Sequence, residues 1–188
     1  MAPKGRLFVV TGPSGVGKGT LIKELLRRVP GLELSVSATT RRPREGEQDG
    51  VDYHFLAEEE FDRRLAEGDF MEHAAYSGHR YGTLVSEVEP RLEDGVGVVL
   101  EIEVQGARQV RARMPEAVLV FVAPPSPEAL RERLEGRGTD APEQIEQRLQ
   151  VAGEELAAQP EFRHVIVNDE VDKAAQELSA LVKTELKR

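Results

Sequence analysis

The stretch Gly12-Pro13-Ser14-Gly15-Val16-Gly17-Lys18-Gly19-Thr20 follows directly on the apolar run Leu7-Phe8-Val9-Val10. A strand feeding a glycine-rich loop constrains the chain more than any other feature. Glycines let backbone N–H groups turn inward around a polyphosphate. Lys18 adds a mobile positive charge for the outer phosphates. Beyond it, Leu21, Ile22, Leu25, Leu26 and Val29 recur at helical spacing, so a helix points the positive end of its dipole at the same anion. Gly12 to Lys18 fits the phosphate-loop pattern G-x-x-x-x-G-K-[ST], except that Gly19 stands where a Ser or Thr hydroxyl ordinarily meets Mg²⁺. Two replacements are open: the hydroxyl of Thr20, or water molecules around the metal.

The 188 residues suffice for one compact α/β domain with inserted subregions. Acidic residues exceed basic ones, 34 to 25, for a formal charge of −9. That balance argues against broad binding to nucleic acid or an anionic membrane. Cysteine is absent, which removes disulfides and thiolate metal sites. No apolar segment is long enough to span a bilayer, and Met1 to Arg6 is too short and polar for a signal peptide. The expectation is a cytoplasmic protein, monomeric or weakly self-associating, with no obligate protein partner.

Along the chain, strands are expected at Glu33–Ser37, Tyr53–Phe55, Phe70–Tyr76, Arg80–Tyr81, Gly97–Val104, Val118–Val122 and His164–Val167. Ala38 to Val51 reads as a polar connection. Helices are expected at Glu58–Glu67, stopped by Gly68, and from a Thr83 cap to Glu93. Another opens at Ser126-Pro127, breaks at Gly136-Arg137-Gly138 and restarts near Asp140–Glu143. A last one carries Val171, Ala174, Ala175, Leu178, Leu181 and Val182 inward. Strands and helices alternate at both ends around a more β-rich middle. The fold class is α/β, a parallel sheet with helices on both faces, whose ligands sit beyond the carboxyl ends of the strands.

Three clusters add chemistry to the loop. Ser37 to Arg44 brings together Arg41, Arg42 and Arg44 with hydroxyls, and Tyr53 follows; guanidinium forks match phosphate oxygens. Glu72 lies near Tyr76, Tyr81 and Thr83, and a carboxylate can accept two hydrogens from a purine edge. Arg133, Arg137 and Arg148 surround the Gly-Arg-Gly break, as in a lid that brings positive charge over a transferring phosphoryl group. Read singly, each has a plainer meaning: a solvated basic loop, a half-buried hairpin, a charged helix face.

Together with Val36-Ser-Ala-Thr-Thr-Arg41, Gly50-Val-Asp-Tyr-His-Phe55, Tyr81-Gly-Thr83, Gln105-Gly106 and Arg133-Leu-Glu-Gly-Arg-Gly138, the loop makes nearly the whole chain resemble the guanylate kinases. The resemblance implies a P-loop NTPase-type core (about 1–35, 93–125 and 156–188), a mixed α/β GMP-binding insert (about 36–92) and a helical lid (about 126–155). It implies direct in-line transfer of the ATP γ-phosphoryl group to GMP or dGMP, with Mg²⁺, in purine nucleotide metabolism. By resemblance, ATP belongs to Gly12, Pro13, Ser14, Gly15, Val16, Gly17, Lys18, Gly19 and Thr20, with Arg133, Arg137 and Asn168. GMP belongs to Ser37, Arg41, Arg44, Tyr53, Glu72, Tyr81, Thr83, Glu101 and Glu103. The catalytic charges are Lys18, Arg41, Arg137 and Arg148. The metal falls to Thr20, directly or through water, with Glu101 or Glu103; the family usually carries Asp at those two positions. The insert and lid are expected to close over the nucleotides.

Three other readings share parts of this pattern. A kinase for another nucleoside monophosphate shares the loop and lid but not Glu72 with Thr83. A regulatory GTPase would need an N-K-x-D guanine motif, which the sequence lacks. A non-enzymatic peptide-binding relative would typically have lost parts of the loop or lid, whereas Lys18 and the three arginines stand here.

Overall fold

A computed structural model describes residues 4–136 and 142–188. In chain order the elements begin with β1 (Leu7–Thr11), α1 (Lys18–Arg28), β2 (Leu32–Leu34), β3 (Ala38–Thr39), β4 (His54–Phe55) and α2 (Glu58–Glu67). They continue with β5 (Phe70–Tyr76), β6 (His79–Leu84), α3 (Val85–Glu93), β7 (Gly97–Glu101) and α4 (Val104–Arg113). The last are β8 (Val118–Ala123), α5 (Pro127–Glu135), α6 (Pro142–Ala157), β9 (His164–Val167) and α7 (Val171–Glu185). Strands β1, β8 and β9 adjoin in that order, β2 adjoins β7, and a four-stranded sheet has the order β4-β3-β6-β5. The chain forms two compact units: Met1–Leu7, Gly31–Leu100 and Gln105–Ala117 in the first, Phe8–Pro30, Glu101–Val104 and Val118–Arg188 in the second.

In the second unit, β1 pairs parallel to β8 (Phe8↔Val118 through Thr11↔Phe121), and β8 parallel to β9 (Val120↔His164 through Ala123↔Val167). Phe8, Val9, Val10, Val120, Phe121 and Val122 have no exposed surface. Continuous apolar runs of this kind suit strands covered on both faces. Helix α1 buries Leu21, Ile22 and Leu25, the residues its periodicity marks. It packs against α7, with Arg28 paired to Asp172 at 2.7 Å. Helix α5 opens as expected: Ser126 Oγ accepts the Ala129 N–H at 3.1 Å, and Pro127 takes the first helical position. Helices α5 and α6 pack through Leu130, Leu134 and Ala152.

In the first unit, β2 pairs parallel to β7 (Leu32↔Gly97). In the four-stranded sheet β6 is antiparallel to both β3 and β5, while β3 and β4 run parallel. Its core is Ala38, Phe61, Phe70 and Leu84, with the Phe61 and Phe70 rings stacked at 4.4 Å. Helix α2 has the expected bounds and ends at Gly68.

Four expectations change. The strand expected at Glu33–Ser37 is Leu32–Leu34, because pairing with β7 decides its extent; Leu34 faces solvent. The polar connection from Ala38 contains β3, a strand of two residues held by β4 and β6 on either side. Thr83 does not cap α3. It lies within β6, and Leu84 precedes the helix without a side-chain cap. Strand β7 stops at Glu101, and Val104 begins α4, since Val104, Ala107 and Val110 are buried at helical rather than alternating spacing. The break at Arg137-Gly138 lies outside the described residues. Among the described residues, no helix is long and apolar enough to cross a membrane.

Candidate active site

In the second unit the chain leaves β1 at Thr11 and bends around Gly12 to Gly17 before α1. Gly12 has φ 140, and a Cβ there would lie 2.2 Å from the Val122 carbonyl oxygen. No side chain fits so close to β8. Lys18 Nζ curls back along the loop and donates to the carbonyls of Gly12 (2.5 Å) and Pro13 (3.2 Å). Gly17, which precedes α1, offers no capping acceptor, and the first turn has no acidic residue. The positive end of the helix dipole therefore reaches the loop without a carboxylate of that turn to neutralise it.

Several side chains converge on this loop. Arg148 Nη2, from α6, donates to Ser14 Oγ at 2.6 Å. Asn168, 2% exposed just past β9, donates through Nδ2 to the Val16 carbonyl at 2.8 Å. Arg133 Nη2, from α5, donates to the Asn168 carbonyl at 2.8 Å. Arg137 lies outside the described residues. Glu101, the last residue of β7, and Glu103 beyond it belong to this unit, both solvent-exposed. A Cβ on Gly19 would sit 3.6 Å from Glu101 Oε1, so the Glu101 carboxylate stands beside the position where the phosphate-loop pattern places a hydroxyl. Thr20 is exposed. Desolvation raises the pKa of Glu103, opposed by Lys18.

Glu155 belongs to no motif and is visible only in the structure. It lies on α6 two turns beyond Arg148, and its carboxyl accepts the Ser14 backbone N–H. Burial pushes its pKa from the ordinary 4.5 up to about 7; Lys18 and the Ser14 N–H pull it down, and Glu103 adds to the rise. A carboxyl whose folded pKa is raised stabilises the fold fully below about pH 4.5 and loses that contribution as pH climbs through about 7. Glu155→Gln should therefore melt at a higher temperature than wild type near pH 8, and the gap should close towards pH 4.5. Thermal melts across this range test it; a gap independent of pH would contradict the burial effect.

The first unit holds a second cluster. Arg41 makes a two-pronged pair with Glu47, Nη2 to Oε1 at 2.8 Å and Nη1 to Oε2 at 3.0 Å. Its guanidinium lies 5.2 Å from the Tyr53 ring centroid. Tyr53 and Tyr81 meet edge to face at 6.2 Å. The bonds to Glu47, and a smaller one to Tyr81, hold the Arg41 pKa above its usual value. Arg44 is exposed, and its backbone N–H also goes to Glu47, at 2.7 Å. Ser37, just before β3, accepts the His54 N–H on its carbonyl at 2.9 Å. Glu47 belongs to none of the sequence motifs; its spacing from Arg41 across Gly46 is the one signal of this pair.

On the same sheet Thr83 Oγ1 donates to Glu72 Oε1 at 2.7 Å, with the two residues 1% and 5% exposed. A bulge brings them opposite one another: Phe70 faces Leu84 and Glu72 faces Thr83, leaving Met71 as the extra residue. Gly82 allows this close approach, because a Cβ there would lie 2.7 Å from both the Glu72 carbonyl oxygen and the Phe70 ring. Gly82→Ala should cost about 1–3 kcal/mol of stability by overpacking. Denaturant unfolding measures this, and an unchanged midpoint would show that the sheet relaxes around the methyl group.

A phosphate loop with its lysine, a converging set of arginines and a buried carboxylate on a bulged hairpin thus occur in one chain. The guanylate kinase family model matches residues 4–185. The chain belongs to the guanylate kinase family. It is 52% identical over 180 residues to a guanylate kinase of Rubrobacter xylanophilus, covering 96% of this chain and 94% of that one. It is 55% identical over 177 residues to a guanylate kinase of Thermobifida fusca, covering 94% and 90%. The crystal structure of guanylate kinase from Anaplasma phagocytophilum superimposes with a TM-score of 0.80 at 32% identity, over 100% of this chain and 89% of that one. The fold is accordingly the α/β P-loop NTPase type, and the family is one of nucleoside monophosphate kinases.

Against that family, the described site residues expected from sequence fall into two groups. Ser14, Lys18, Arg133, Arg148 and Asn168 are joined around the loop in the second unit. Arg41, Tyr53 and Tyr81, and separately Glu72 with Thr83, are joined in the first. Asn168 has a part that the sequence did not suggest, holding the loop through the Val16 carbonyl.

Proposed function

We propose that this chain transfers the γ-phosphoryl group of ATP directly to GMP, and to dGMP, giving ADP and GDP in purine nucleotide metabolism. The observation that carries the choice of acceptor is the buried Glu72 carboxylate, oriented by Thr83. Guanine presents N1–H and a 2-amino group on one edge, two donors for two carboxylate oxygens. Arg41, Arg44, Tyr53, Tyr81 and Ser37 form the cradle for the GMP phosphate, with Glu101 and Glu103 contributing near the nucleotide. The edge Glu72 reads belongs to the base alone, so the deoxy form is accepted.

The ATP phosphates lie in the Gly12–Thr20 loop under the N-terminus of α1. Lys18 exchanges its carbonyl partners for the β- and γ-phosphates. Arg148, Arg137 and Arg41 neutralise the transferring group, and Arg133 and Asn168 hold the loop and the adenosine side. The acceptor is already an anion, so no strong general base is required, and catalysis is positioning plus charge neutralisation. The residues present fit Mg²⁺: the Glu101 carboxylate stands beside Gly19, and Glu103 and Thr20 supply further hard oxygen donors. A metal that keeps most of its waters needs few protein ligands. When bound, Mg²⁺ supplies charge neutralisation on the phosphates. Closure of the insert, 36–92, and the lid, 126–155, over the bound nucleotides keeps water from the phosphoryl group. The protein works in the cytoplasm as a monomer or weak homo-oligomer, without nucleic acid, membrane or an obligate protein partner.

The test is transfer of label from γ-labelled ATP. The label should appear at the β position of GDP in equal amount to ADP, with none left on the protein. Release as inorganic phosphate, or a labelled protein, would contradict direct transfer.

A further inference from the structure

The carboxylate of Glu72 can read a base edge only if its strand is held in place, and β5 is the outer strand of its sheet, with β6 on one side only. On its other side α4 supplies a substitute for a neighbouring strand. Gln109 Oε1 accepts the His73 N–H at 3.1 Å, and Gln109 Nε2 donates to the His73 carbonyl at 2.7 Å. One side-chain amide thus satisfies both backbone groups of the residue next to Glu72, as a β-ladder rung would. One turn further on, Arg113 Nη1 donates to the Phe70 carbonyl at 2.9 Å. The two clamps bracket the bulge at Phe70 to Glu72. Ala107 and Val110, fully buried on α4, fix the helix that carries them.

We infer that Gln109 is a positioning residue for base recognition: its paired hydrogen bonds to His73 lock the bulged strand so that the Glu72 carboxylate meets the base edge. This rests on the reading of Glu72 as the group that recognises guanine. A bulge is a local irregularity that can shift along a strand. Bonds to the first residue beyond it prevent that shift, and Thr83 then sets the tilt of the carboxylate.

The test is steady-state kinetics of Gln109→Met, which keeps the side-chain length and loses both bonds, and of Gln109→Ala. GMP, ATP and inosine monophosphate, whose base lacks the 2-amino group, are varied in turn. Glu72→Gln is measured alongside, and all variants are melted thermally. Misplacing a binding group should raise KM for GMP about tenfold while leaving KM for ATP and kcat within about twofold. The GMP preference over inosine monophosphate should narrow, because the contact to the 2-amino group is lost. An unchanged KM for GMP in folded Gln109 variants, with Glu72→Gln impaired, would overturn the positioning role alone. A uniform fall in all parameters, or failure of both variants to fold, would mark Gln109 as a general structural residue and also overturn it. An unchanged GMP dependence in Glu72→Gln would overturn the base reading, and this inference with it.

Discussion

Lys18→Ala should fold as wild type does and lose turnover by on the order of 10²–10³, the usual cost of removing one preorganised charge from a transferring group. Helix α1 is anchored by Leu21, Ile22 and Leu25, which the substitution leaves alone. The ammonium's bonds to the Gly12 and Pro13 carbonyls keep it within the loop, so it needs little rearrangement to meet phosphate oxygens. No second lysine stands in the loop, from Gly12 to Thr20, to take over its charge. The measurement is kcat with saturating ATP and GMP, beside a thermal melt. A folded variant with near-wild-type turnover would remove Lys18 from the chemistry.

The second large effect concerns Glu72. Glu72→Gln replaces one carboxylate acceptor by an amide donor. With Thr83 still donating to one oxygen, the amide N–H faces the donors of guanine, and a charge-assisted bond is lost. Such bonds contribute roughly 1.5–3 kcal/mol, so KM for GMP should rise by about 10–10²-fold while KM for ATP stays within a few-fold. Thr83 discriminates less, because a hydroxyl can turn to donate or accept. Varying each nucleotide in turn separates the two constants. A GMP dependence like that of wild type would contradict the role of Glu72.

These two residues were legible in the sequence for different reasons. Lys18 sits in a local pattern, strand, glycine loop and helix, whose parts are contiguous. Helix α2 and the start of α5 were legible in the same way, from Gly68 and from Ser126-Pro127. Thr83 shows the limit of local reading. Its hydroxyl suits a helix cap, but the partner that wins is Glu72, eleven residues away across a bulged hairpin. Strand β3 was hidden because its two residues are held only by neighbours on β4 and β6. Glu47, Glu155 and Gln109 act through Arg41, Ser14 and His73, and no single-residue propensity signals such pairings. The stretch around Glu72 forms strands where alternation and aromatic residues point to them, while its outer edge, secured by side chains of α4, is visible only in three dimensions.

The most direct test of the account is the ratio of kcat/KM for GMP to that for AMP in the wild-type protein, followed as ADP formation with ATP held saturating. Adenine offers an unprotonated N1 and no 2-amino group, so AMP would leave the buried Glu72 carboxylate facing a lone pair. Sites built on such complementarity reject the wrong ligand by ~10⁴-fold or more, and a ratio of that order is the predicted result. Equal efficiency with AMP and GMP would contradict it.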